Sequence, residues 1–83
     1  MDLEVVIEGV SDKRVANEIK RKIQEICREI EHGGEWSVTV SPAETRGQWD
    51  LGVRAPFGRR FVSFADRAGG LPDLVAEQLR ACL

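Results

Sequence analysis

Arg54, Arg59 and Arg60 crowd the middle of this chain, with Phe57 and Phe61 among them. Guanidinium groups placed so closely can grip phosphate or carboxylate oxygens through bidentate hydrogen bonds. An exposed ring beside them can stack on a base or anchor a protein partner. The same residues also suit a purely structural task, because charges on an edge strand deter sheet-to-sheet pairing and Phe57 can fold back over the core edge. Arg46 is a further cation near the other end of the segment. Arg54, Phe57, Arg59, Arg60 and Phe61 form the candidate partner-binding set.

Catalysis has no comparable set. His32 is the only histidine, and no cysteine, second histidine or close acidic pair accompanies it as a metal would require. Its place beside a helix C-terminus suits capping or solvent contact. Asp50 and Asp66 lack a recognisable partner for acid–base work, and no serine or cysteine sits in a nucleophile motif. Gly69-Gly70 can present N–H groups to an anion, but the lysine of a phosphate loop is missing, which favours a flexible joint. Cys27 and Cys82 have no metal-ligand spacing and are expected as buried or half-buried reduced thiols. No cofactor and no enzymatic activity are expected, an accessory subunit of an enzyme being the one role of that kind left open.

Composition sets the frame for these residues. The chain has 83 residues, with 42% hydrophobic and 31% charged, which fits one ordinary globular domain over residues 1–83. A formal net charge of -2 disfavours indiscriminate binding to nucleic acid or anionic membrane and leaves room for a local basic patch. Met1-Asp2-Leu3-Glu4 lacks a cationic leader, and no apolar run approaches the ~20 residues of a membrane span, so a cytoplasmic protein is expected.

The positioning elements follow from periodicity. Leu3 to Ile7 alternates as a strand, and Gly9 breaks it. Ser11 is the expected N-cap of a helix, with Val10 and Val15 at staple positions. Val15, Ile19, Ile23, Ile26 and Ile30 make one helical stripe, and Gly33 is the expected C-cap. Lys13, Arg14, Lys20, Arg21, Lys22 and Arg28 are mixed along this helix with Glu18, Glu25, Glu29 and Glu31. Glu35 to Ser41 alternates as a strand stopped by Pro42. Trp49, Leu51, Val53 and Ala55 mark the dry face of a third strand, which folds back on Pro56-Phe57-Gly58 into a fourth. Pro72 suits the first turn of a last helix striped by Leu71, Leu74, Val75, Leu79 and Cys82. Both stripes are single, so both helices should lie on one face of the sheet, with Cys27 and Cys82 near the same end if the helices run parallel. The fold class is therefore α+β: β-α-β-β-β-α, a four-stranded mixed sheet with both helices packed on one face.

The register of the last strand decides which ring is exposed. If Ala55 faces Arg60 across a two- or four-residue loop, Val62 and Phe64 are buried and Phe61 joins the open face. A three-residue loop with a bulge at Gly58 would exchange the faces. The first register buries two large residues rather than one, each worth about 1.5–3 kcal/mol, and is the expected one. The open face then carries Glu4, Glu8, Ser37, Thr39, Gln48, Asp50 and Arg54, with Phe61 among them. Arg54 and Arg60 beside Phe61 mark where a partner or a second copy would dock.

The element order, the Ala55-Pro56-Phe57-Gly58 hairpin and the closing amphipathic helix resemble the ribosome hibernation factors, whose fold is similar to double-stranded RNA-binding domains. The resemblance implies the fold and, for that family, a basic surface that meets the small ribosomal subunit. The lysine-rich opening of the last helix in double-stranded RNA binders is replaced here by Gly69-Gly70-Leu71-Pro72-Asp73. The expected function is a small non-enzymatic binding or adaptor domain for a protein partner or for self-association. The alternative is an RNA- or ribosome-associated domain using the hairpin tip and the first helix.

Overall fold

The Val15, Ile19, Ile23, Ile26 stripe is one side of helix α1 (Lys13–Glu29), in a computed structural model that describes residues 2–29, 34–67 and 70–83. Ile19 and Ile23 are fully buried, as the 3.6-residue period requires of a helix with one apolar side. Strand β1 (Asp2–Ile7) precedes α1, and strands β2 (Glu35–Pro42), β3 (Gln48–Ala55) and β4 (Gly58–Ala65) follow it. Helix α2 (Leu71–Cys82) closes the chain.

The strands form one sheet in the order β1-β2-β3-β4. β1 and β2 pair in parallel, because α1 carries the chain back across the sheet between them. β2 with β3 and β3 with β4 are antiparallel. One face supplies Trp36, Val38, Val40, Leu51, Val53 and Phe64 to the core, and the helices cover it with Ile19, Ile23, Ile26, Cys27, Val75 and Leu79. Both helices lie on this face, and the other face is open.

Two ion pairs fix how the helices run. Lys22 Nζ lies 3.2 Å from Asp73 Oδ1, and Arg80 Nη1 lies 3.4 Å from Glu29 Oε2. The two pairs have the same separation in sequence, 51 residues, so the helices advance together and are parallel. Their C-termini, with Cys27 and Cys82, therefore share one end of the molecule.

Local differences from the expected elements have simple causes. Asp12, not Ser11, caps α1: its Oδ1 accepts the Arg14 N–H at 2.9 Å. A carboxylate at the positive end of the helix dipole outcompetes a neighbouring hydroxyl. Val10 and Val15 nevertheless pack against the core. Pro42 ends β2 as its last residue, paired with Trp49, and its ring occupies the space where a Gly9 side chain would stand. Gly9 also has φ +76°, so both the backbone and the contact require glycine there. Ile30, His32, the Gly33 cap and Gly69 lie outside the described residues.

Candidate functional site

The hairpin tip is a two-residue loop, Pro56-Phe57, with Ala55 opposite Gly58. Of the two expected loop lengths the two-residue one is formed, so Ala55 faces Gly58 rather than Arg60 and the expected parity is kept. Val53 faces Arg60, Leu51 faces Val62, Trp49 faces Phe64, and Phe61 falls opposite Gly52 on the open face. Gly58 takes φ +124°, a backbone conformation that residues with side chains rarely adopt.

This parity splits the arginine cluster. Arg60 lies on the helix side, away from Arg54 and Phe61, so the expected grouping of Arg54 with Arg60 does not occur. The Arg60 Nη1 group donates to the Cys82 carbonyl oxygen at 2.7 Å, at the C-terminus of α2 where carbonyls lack helical partners. Its guanidinium carbon sits 4.8 Å from the centre of the Phe57 ring. Phe57 in turn meets Trp36 edge-on, with ring centres 5.3 Å apart. Pro56 packs on Gly34, where a β-carbon would come within 2.6 Å of the proline ring, and the φ of +96° independently favours glycine there. Arg60, Phe57 and Trp36 therefore make a stack that closes one end of the core.

Arg54, Arg59 and Phe61 stand together on the open face. Arg54 and Arg59 are directly opposite each other on β3 and β4. Like charges in that position repel, and an anion between them would relieve the cost. Phe61 is 70% exposed and lies across Gly52, its Cδ2 4.0 Å from where a β-carbon would be. The central positions Ser37, Thr39, Asp50 and Ser63 are short and polar, with Ser63 Oγ donating to Asp50 Oδ1 at 2.6 Å, while β1 adds Glu4 and Val6. An open groove at the starting end of β2 is lined by Glu4, Glu35, Ser37 and Arg54. Its rim carries both signs of charge, and Trp36, Ala55 and Pro56 complete the lining. Arg46 lies in the turn between β2 and β3, at the opposite end of β3 from the hairpin tip, and is exposed.

A third surface was hidden in the linear sequence. The charges of α1 alternate along the chain, yet at ~100° per residue they sort around its axis. Lys22 and Glu29 mark the flank that faces α2, and Glu18 shares it. The opposite flank carries Lys13, Asn17, Lys20, Gln24 and Arg28, all exposed and with no acid among them. Arg21 and Arg14 continue this band up to the border with Glu18 and Glu25. From Lys13 to Arg28 the band is ~22 Å long. Projection of the charges, rather than their sum, is the signal that identifies it.

The thiols are both free, Cys27 buried and Cys82 half-buried. Burial pushes the Cys27 thiol above its ordinary 9.0. Among the described residues no three histidine, cysteine or acidic side chains converge as metal ligands, and no helix is long and apolar enough to cross a membrane.

The chain is similar in structure to the N-terminal domain of Protein Y from Thermus thermophilus, with a TM-score of 0.62 and 17% identity. The match covers 98% of this chain and 93% of that one, so the likeness to hibernation factors is one of whole topology. No protein-family model and no curated protein matches the chain.

Proposed function

We propose that this protein is a non-enzymatic, RNA-associated binding domain of the cytoplasm that meets phosphates with the outer flank of α1. The observation that carries this reading is the band Lys13, Lys20, Arg21 and Arg28 on one flank of α1, with Glu29 paired to α2 and Glu18 and Glu25 lying along the border of the band. Cations at fixed positions on a helix release counterions from a nucleic-acid backbone without any sequence readout. The local band explains how a chain of net charge -2 can still present a cationic surface. The topology shared with hibernation factors supports the same partner class.

Binding of purified small ribosomal subunits and of a double-stranded RNA oligonucleotide, followed through a salt titration, tests this reading. Lys20→Glu with Arg28→Glu should weaken binding by roughly tenfold or more, and each lost cation should lower the salt slope by about one. Unchanged affinity and slope in that variant would refute it.

A second reading is favoured by the open face. Phe61 at 70% exposure beside Arg54 and Arg59 has the composition of a protein contact, where aromatic residues and arginine are enriched. This reading places a protein partner there, independent of α1.

A further inference from the structure

The strand register orders the open face into cross-strand rows. One row runs Glu4, Ser37, Arg54, Arg59 from β1 to β4. The next runs Val6, Thr39, Gly52, Phe61. Glu35, one row outward on β2, enlarges the acidic corner beside Glu4. The face is thus acidic at the start of β1 and β2, and basic across the hairpin of β3 and β4.

From this pattern we infer that the open face is a self-association surface whose occupant is a second copy of the chain. The inference deepens the protein-partner reading and rests on it, not on the α1 band. A two-fold axis parallel to the strands lays β1 of one copy over β4 of the other while keeping every row over itself. Glu4 then faces Arg59 of the second copy, and Ser37 faces its Arg54. Val6, half-buried on this face, meets the Phe61 ring of the second copy, and Thr39 meets its Gly52, which adds no bulk. A two-fold axis across the strands would instead set β1 over β1 and β4 over β4; run through the Phe61 row, it leaves Glu4 without an arginine and sets Arg59 over Ser63, although Arg54 then meets Asp50. Only the first axis gives Glu4 an arginine partner. It also places acids from the second copy beside the opposed Arg54–Arg59 pair.

Area sets the expected strength. Three strands of eight residues and one of six, ~4.8 Å apart, offer a footprint of ~480 Å² per copy, or just under ~1,000 Å² in total. That lies among weak, reversible interfaces, so dimers should appear only as concentration rises.

Sedimentation velocity over a concentration series tests this directly, with the melting curve of each variant as a check on folding. The wild-type chain should shift reversibly from monomer to dimer. Glu4→Arg alone and Arg59→Glu alone should each remain monomeric over the same range. An equimolar mixture of these two variants should restore the dimer. The arginine introduced at position 4 of one copy then faces the glutamate introduced at position 59 of the other, and the remaining contact is native. The single chain with both changes should dimerise as well. A wild-type chain that stays monomeric, single variants that dimerise normally, or a mixture that stays monomeric would each overturn the inference. If the wild type is monomeric and Phe61→Ser still abolishes capture of a different protein, self-association falls while the protein-partner reading stands. If Arg59→Glu weakens RNA binding and leaves the oligomeric state unchanged, the open face belongs to nucleic acid instead.

Discussion

Arg59 and Arg60 are adjacent in sequence and end in opposite circumstances, because β4 sends alternate side chains to opposite faces of the sheet. On the covered side, Arg60 donates to the Cys82 carbonyl, lies over the Phe57 ring and, through it, braces Trp36. On the open side, Arg59 confronts Arg54, and Phe61 stands 70% exposed over Gly52. The two halves of the hairpin tip thus divide the work. One half commits its polar groups to closing the core, and the other leaves them exposed on the open face. A cluster of arginines in a sequence is therefore not one site until the parity of its strand is known.

That contrast is broken most severely at Trp36. It is 3% exposed beneath the stack, and Trp36→Ala should cost about 3–5 kcal/mol, lowering the denaturation midpoint sharply. Phe61→Ala, one face away, should change stability by no more than about 0.5 kcal/mol. Equal losses in the two variants would erase the distinction between the faces.

The arginine pair sharpens it further. Arg60→Ala removes a hydrogen bond to a helix-terminal carbonyl and a cation–π contact, and should destabilise by about 1–2 kcal/mol in urea unfolding. Arg59→Ala removes a like-charge neighbour and should be neutral or stabilising by up to about 0.5 kcal/mol, the gain shrinking as salt is added. A larger loss from Arg59→Ala than from Arg60→Ala would reverse the assignment.

The smallest effect concerns Cys27, where burial raises the thiol pKa above 9.0. The buried thiol stays neutral in the folded chain while the unfolded chain ionises. Its contribution to stability is fully present below the unfolded value and is lost as pH rises through the higher folded value. Melting temperatures from about pH 8 to pH 11 should fall more steeply for the wild type than for Cys27→Ala. Half-buried Cys82 should also be alkylated before Cys27 in the native chain. Cys27 reacting first would contradict its burial.

The sequence was legible wherever one face was dry. The α1 stripe and the alternation of β2 and β3 specify both elements and their burial, because a slip of one residue would expose every valine. The parity of β4 followed from which register buries Val62 and Phe64, but the loop length did not, since a two-residue and a four-residue turn give the same parity. The cap of α1 is displaced by one residue from its expected place because Ser11 and Asp12 are both good caps and the carboxylate is favoured over the hydroxyl at the positive end of the helix. The candidate partner-binding set looks like one cluster until the strand's alternation is applied to its arginines. The cationic flank of α1 escapes a linear reading because its lysines and glutamates alternate along the chain and separate only around the helix axis.

Nitrogen-15 chemical-shift mapping during titration with double-stranded RNA tests the central claim most directly. The account predicts perturbations along the outer flank of α1, at Lys13, Asn17, Lys20, Gln24 and Arg28, with the Phe57–Trp36 end of the core unchanged. Perturbations centred on α2 and the Glu18–Glu29 flank, or none at saturating RNA, would contradict it.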